Sequence, residues 1–276
     1  MLAPSFSLNG KLFPIDQAVI PLDNLEFSYG FGVYEIVKVR NKIIYFPEKH
    51  IERLFHSAKT IQLTVPLSSE AVFSALQEFI RVIPEQSYNI KILCVAGNLY
   101  IFATAPFFVP DKLYRSGVSV ITFHGERLFP QAKTLNMLMS YQAYAQAKEQ
   151  QAYDALLVDN LGFIREGTRT NFFFTDGKTI FTPPAEHVLE GVTKLTLTEA
   201  LRQNGIEIIE KQLPLSELKQ YLGFFLTSTS SKVLPITSIN RITFAIPEII
   251  KTVMKIYDEY LNNYAATQKK LSFSTI

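Results

Sequence analysis

Gln131-Ala-Lys-Thr-Leu-Asn136 is the stretch on which the reading of this 276-residue chain turns. Lys133 stands in Ala132-Lys-Thr-Leu-Asn-Met-Leu-Met139, an apolar setting for a lysine. Taken singly it is an ordinary lysine at a strand end, because long charged side chains are rarely buried. Its meaning comes from what flanks it in order. Arg53 lies upstream in Glu48-Lys-His-Ile-Glu-Arg-Leu54. Downstream come Ile164-Arg-Glu-Gly-Thr-Arg-Thr-Asn171, Gly191-Val-Thr193 and Thr227-Ser-Thr-Ser230.

An amine that attacks an aldehyde must be unprotonated, which favours partly desolvated surroundings. Lys133 is the candidate. Glu166 ends an apolar strand, and a carboxylate set against a pyridine nitrogen keeps that nitrogen protonated. Read alone, Glu166 is a turn residue paired with Arg165. Gly191-Val192-Thr193 directly precedes a helix, whose first N–H groups bind phosphate well; a plain threonine cap fits the same residues. Ser228-Thr229-Ser230 adds hydroxyls and amides for a second side of a phosphate cup. Arg53 can fork onto a phosphate, or pair with Glu48 or Glu52 along its own helix. An aldehyde, a basic ring nitrogen and a phosphate on one molecule describe pyridoxal 5'-phosphate (PLP).

Composition narrows the class. Hydrophobic residues make up 47% and charged residues 19%, which supports a real core and argues against disorder. A formal charge of +2 without a basic run disfavours nucleic acid. One cysteine, Cys94, and four scattered histidines give neither a disulfide framework nor metal-ligand spacing. The N-terminus lacks a basic start and a long apolar stretch, so neither a signal peptide nor a membrane span is expected. With 22 Phe and no Trp, the buried aromatic mass falls to Phe and Tyr.

Periodicity predicts a hairpin over residues 5–13 around Asn9-Gly10, then an alternating strand over Val33–Arg40. Pro47 opens a helix to about Ile61, and a second helix fits Ser69–Val82 behind a serine cap. Ile90–Ala96 and Leu99–Ala105 form a strand pair. Pro106–Leu113 is the expected boundary, giving an α+β domain over 1–112 and a second domain over 113–276. In the second, strands are expected over 118–123, 155–158, 163–165, 171–175, 179–181, 206–210 and 224–226. Helices are expected over 140–150, 194–204 and 247–264.

In order and spacing the chain resembles the fold type IV PLP enzymes, which include D-amino acid transaminases, branched-chain aminotransferases and aminodeoxychorismate lyases. The resemblance runs from about Asn9 to about Pro235. It is carried by Gly-Phe-Gly-Val-Tyr-Glu-Ile-Val-Lys-Val, Lys-His-Ile-Glu-Arg-Leu, Lys-Thr-Leu-Asn, Glu-Gly-Thr-Arg-Thr-Asn-Phe-Phe and Leu-Thr-Ser-Thr-Ser-Ser-Lys-Val-Leu-Pro-Ile. It implies an α/β N-terminal domain and a larger C-terminal pseudo-barrel, in a homodimer with active sites near the domain interface; the composition and N-terminus add the expectation of a cytoplasmic enzyme. It places the catalytic lysine on Lys133 and the ring-nitrogen carboxylate on Glu166. Phosphate contacts fall on Arg53, Val192, Thr193 and Thr229, and the substrate side on Tyr34 and Lys91.

Val33-Tyr34-Glu35 looks most like the D-amino acid branch, and Ile36 weakens the lyase reading. Lys91, in Ile90-Lys-Ile92, resembles a lyase strand in which lysine meets the substrate; its plain alternative is an edge-strand lysine. The Arg-x-His carboxylate trap of the D-amino acid branch is missing from Val95-Ala-Gly-Asn-Leu-Tyr100. Lys194 replaces the arginine usual after Gly-Ile-Thr. Arg40, Arg127 and Arg169 are spare cations for the carboxylate. The implied reaction moves an amino group between an amino acid and a 2-oxo acid. The alternatives are release of pyruvate and 4-aminobenzoate from aminodeoxychorismate, or branched-chain transamination.

Overall fold

A computed structural model describes residues 3–273. The chain divides into two compact units, at Phe107/Phe108, and Ala132–Met137 groups with the first. The Lys133 segment, placed by sequence in the domain over 113–276, therefore belongs to the N-terminal unit. The reason is a set of backbone bonds: Leu135 N–H donates to Gly32 C=O at 2.8 Å and Tyr34 N–H to Lys133 C=O at 3.0 Å.

The first unit begins with strands β1 (Ser5–Leu8) and β2 (Lys11–Pro14). Asn9 and Gly10 join them, both with positive φ (49° and 83°), as a tight hairpin turn requires. A one-turn helix α1 (Leu25–Ser28) precedes β3 (Gly32–Arg40) and the short β4 (Ile43–Ile44). Helices α2 (Pro47–Thr60) and α3 (Ser69–Arg81) follow. Pro47 opens α2 because its missing N–H falls where a helix leaves one unused; the Ser68 hydroxyl caps α3 by accepting from Ala71 N–H. Strands β5 (Tyr88–Val95) and β6 (Asn98–Thr104) complete a six-stranded sheet of order β2-β1-β6-β5-β3-β4. Val33, Val37 and Val39 of β3 pack with Ile51, Leu54 and Ala58 of α2 in one core.

The second unit opens with α4 (Asp111–Ser116), in a stretch that the sequence reads as linker, and β7 (Val118–His124). Then come α5 (Leu138–Glu149), β8 (Asp154–Val158), β9 (Phe163–Gly167), β10 (Asn171–Thr175) and β11 (Ile180–Thr182). Helix α6 (Val192–Gln203) leads to β12 (Ile208–Glu210), β13 (Leu213–Pro214), β14 (Gly223–Ser228), β15 (Lys232–Ile239) and β16 (Ile242–Thr243). Helix α7 (Glu248–Phe273) follows, nine residues longer than its predicted end. Six strands run β10-β14-β15-β7-β8-β9, and β9 pairs back to β10 at Glu166 and Asn171. That single pair closes the expected pseudo-barrel.

Strand β15 is absent from the periodicity reading because Pro235 interrupts its run, and proline removes a ladder donor. The ladder between β15 and β7 shifts register one residue later, between Ile236 and Ser238. Phe172, Phe173, Phe174, Phe224 and Phe225 are fully buried at consecutive positions, so both faces of β10 and β14 are covered. Phe173 and Phe225 stack at 4.7 Å across that pair. Among the described residues no helix is long and apolar enough to cross a membrane.

Candidate active site

In the first unit, alternation along β3 sends Val33, Glu35, Val37 and Val39 to the buried face. Glu35 is a carboxylate in a row of valines and is 0% exposed. A buried charge is costly without partners, and α2 supplies them. Arg53 Nε donates to Glu35 Oε1 and Nη2 to Oε2, each at 2.7 Å, in a fork. His50, one turn earlier, sets Nδ1 2.7 Å from the same Oε2. Burial alone would push the Glu35 carboxyl up; the charge and hydrogen bonds of Arg53, with those of His50, outweigh it and hold it down to about 2. Burial pushes the His50 imidazole down against the pull of Glu35. Arg53 thus pairs with Glu35 across from α2, being on the inner face of that helix with Leu54.

Tyr34 points to the opposite face of β3. Lys133 Nζ lies 4.7 Å from the centre of its ring and Lys91 Nζ 5.3 Å, so two of the expected residues meet on the third. Lys91 also lies 6.0 Å from the Phe102 ring. Strand β5 is an inner strand, between β6 and β3, so Lys91 is not an edge lysine. The Lys133 backbone is pinned twice: its N–H donates to Ser57 Oγ of α2 at 3.0 Å, and Thr134 bridges to Val33.

In the second unit, Glu166 is 3% exposed on β9. Its Oε2 accepts from Leu189 N–H at 3.2 Å, and Arg127 Nε lies 3.3 Å from Oε1, an ion pair without hydrogen-bond alignment. Arg127 Nη2 also donates to Thr168 C=O at 2.9 Å. Arg165 does not pair with Glu166; it grips Asp159 at 2.7 and 2.5 Å, and Asp159 in turn caps the β8–β9 turn. The turn after Glu166 is tied down by buried Asp154, which accepts from the Thr168 and Thr170 hydroxyls at 2.5 and 2.9 Å.

Val192 and Thr193 form the first turn of α6, behind Gly191, with no side-chain cap and no acid in that turn. An uncapped helix start carries N–H groups and partial positive charge. Lys194 follows, buried, with Nζ 3.9 Å from Glu210 and no hydrogen bond. Burial pushes its ammonium down, opposed by Glu210, Glu190 and Glu166. Thr229 lies in the turn between β14 and β15, where Ser228 Oγ and Ser231 Oγ meet at 2.7 Å.

The spare cations are largely committed. Arg40 bonds to the carbonyls of Val39 and Tyr88 at 2.6 and 2.7 Å, Arg127 serves Glu166, and Arg169 stacks on Tyr144 at 4.0 Å. Glu35, His50, Asn171 and Asp154 are the functional candidates that motif reading passes over. For Glu35 the signal was present, since strand alternation places it with three valines.

The first unit offers a lysine amine, and the second offers a buried carboxylate and an uncapped helix start, groups that suit the aldehyde, ring nitrogen and phosphate of PLP respectively. The profile of the amino-transferase class IV family matches residues 32–239. A D-alanine aminotransferase from Bacillus licheniformis is 28% identical over 247 residues, covering 84% of this chain and 87% of that protein. A putative branched-chain-amino-acid aminotransferase from Methanocaldococcus jannaschii is 28% identical over 285 residues, covering 91% and 99%. The structure of a branched-chain aminotransferase from Thermoproteus uzoniensis superposes with a TM-score of 0.85 at 24% identity, covering 93% of each chain. The fold, the cofactor chemistry and the family profile agree, and the chain belongs to the class IV aminotransferases, the fold type IV enzymes that use PLP.

Proposed function

We propose that this aminotransferase acts on a small amino acid of the D-series, with Lys133 as its catalytic amine and Lys91 as the cation for the substrate carboxylate. The observation that carries this reading is the Tyr34 ring with Lys133 and Lys91 against it at 4.7 and 5.3 Å. The Lys133 amine is the anchor for chemistry at Cα, and Lys91, against the same ring, is the cation for the carboxylate next to it. The sequence of Val33-Tyr34-Glu35 and the likeness to the D-alanine aminotransferase support the handedness. Branched-chain L-amino acids are the second reading, favoured by the near end-to-end match to the Methanocaldococcus jannaschii protein.

PLP, when bound, supplies the electron sink that stabilises negative charge at the substrate Cα. Lys133 would hold the cofactor at its aldehyde, and its amine would move the proton at the substrate Cα. Glu166 keeps the ring nitrogen protonated, with Leu189 N–H and Arg127 holding the carboxylate in place. Arg53, the Val192 and Thr193 amides and Thr229 bind the phosphate, where charge-assisted bonds are the strong ones. Tyr34 backs the amine.

The enzyme on this reading is a cytoplasmic homodimer. Val19, Leu25 and Tyr29 are 71%, 64% and 78% exposed in a short stretch of the first unit, an apolar surface suited to a second copy. Light scattering of the purified protein tests this.

Mixing holoenzyme with panels of D- and L-amino acids and following the visible cofactor band tests the substrate. Conversion by D-alanine and its neighbours supports the reading. Conversion by L-leucine or L-valine alone replaces it with the second. Pyruvate made from aminodeoxychorismate without an amino acceptor makes the protein a lyase.

A further inference from the structure

Gly191 precedes α6 with φ −67° and ψ 134°, a backbone conformation any residue adopts. Conformational freedom is not why a glycine stands there. A Cβ at that position would lie 2.0 Å from Asn171 Oδ1 and 3.2 Å from its Cγ, far inside contact distance. Asn171 is 6% exposed and is the β10 residue that closes the barrel against Glu166. Its Nδ2 donates to Leu189 C=O at 2.7 Å. A carbonyl accepts only from the nitrogen end of the amide, so the oxygen end must face Gly191. Leu189 N–H, on the other side of the same residue, donates to Glu166 Oε2.

Leu189 is therefore held through both of its backbone groups. Glu166 takes its N–H, Asn171 takes its carbonyl, and the Asn171 oxygen occupies the space above the residue that starts α6. We propose that Asn171 is a positioning residue of the cofactor site, setting the Glu166 carboxylate and the first turn of α6 in register, and that position 191 is glycine to make room for it. This rests on the reading of Glu166, Val192 and Thr193 given above. The physical chain is short. Without the Nδ2 bond the peptide after Leu189 can turn, residue 189 shifts with it, and the N–H of the peptide before it leaves Glu166. With a side chain at 191, either Asn171 rotates away from Leu189 or the start of α6 moves. Each way, carboxylate and phosphate donors lose their common spacing.

The test is a double-mutant cycle on apo-protein titrated with PLP, with unfolding temperatures measured beside it. Gly191→Ala should raise the Kd for PLP about tenfold or more when Asn171 is present, about 1.4 kcal/mol. The same change should cost less than twofold in Asn171→Ala protein, where the space is open. Asn171→Asp keeps the shape but sets an oxygen against Leu189 C=O. It should weaken PLP binding as Asn171→Ala does, and shift the pH at which the bound cofactor's visible band titrates. A residue that merely filled space would leave that pH unmoved. If Gly191→Ala costs the same in both backgrounds, or prevents folding in both, Asn171 is not the obstacle and the proposal falls. If wild-type protein binds no PLP, the site reading falls and takes the positioning role with it. The cycle in unfolding temperature would then still report the Asn171–Gly191 contact separately.

Discussion

Glu35→Gln is the perturbation whose size the structure fixes best. The wild-type carboxyl lies at about 2 against an ordinary value of 4.5, lowered by Arg53 and His50 against the opposing push of burial. At about 1.4 kcal/mol for each tenfold, that difference is worth about 3 kcal/mol of stability at pH 7. It agrees with the ~3–5 kcal/mol expected when one partner of a buried ion pair is removed and the other is stranded. A carboxyl depressed in the folded state stabilises above its unfolded value, and the contribution fades as pH falls from about 4.5 toward 2. Glutamine has no such dependence. The gap between wild type and variant should therefore be about 3 kcal/mol at pH 7 and shrink to about 1 kcal/mol at pH 3. Groups titrating alike in both proteins cancel from the difference; His50, in contact with Glu35, does not, and its share is read from the same pair of measurements in a His50→Asn background. Urea unfolding of apo-protein by far-ultraviolet circular dichroism measures it, the chain having no tryptophan to report by fluorescence. A gap below about 1 kcal/mol at pH 7, or one that stays constant between pH 7 and pH 3, refutes the reasoning.

Borohydride reduction of holoenzyme followed by peptide mapping should label Lys133, and a label on Lys148 or Lys178 removes it from the site. Arg53→Ala should weaken PLP binding about tenfold or more, at least ~1.4 kcal/mol, while affinity for pyridoxal, which lacks the phosphate, changes far less; equal losses would show that Arg53 acts only through Glu35. Lys91→Met should raise KM for an amino acid far more than for an uncharged amine, by ~1.5–3 kcal/mol, the range for a hydrogen bond to a charged group. Equal effects on both substrates would leave Lys91 a support for the Tyr34 ring.

Much of the fold is legible along the chain because local rules and packing agree there. Asn9-Gly10, the proline that opens α2 and the serine that caps α3 mark their elements without help from the rest of the molecule. The exceptions have separate causes. Pro235 hides the eight-residue β15, because a strand paired on both sides is not where a proline is expected. Helix α4 sits among prolines and exposed aromatics that imitate a linker. For the site, motif order offers Lys133, Glu166 and Arg53 as candidates, but not the residues that touch them. Asp154, Asn171 and Arg127 act through contacts between elements far apart in sequence, and no local pattern reports such a meeting. Glu35 differs: the spacing Val33, Glu35, Val37, Val39 already puts a carboxylate on the buried face, so a basic partner on the helix that follows can be anticipated.

The return of Ala132–Met137 to the first unit bears on how the protein is made. The ribosome delivers the sheet of β1 to β6 by residue 104, yet Gly32 and Val33 still lack the partners that Leu135 and Thr134 provide. That unit can be completed only after residues 108–131 of the other have been synthesised. A fragment ending at Phe107 would carry Tyr34, Lys91 and Arg53 but not Lys133, the proposed catalytic amine. Division of this gene product into separately expressed halves should therefore yield two incomplete pieces, and any split-protein reporter built on it is better cut beyond Met137.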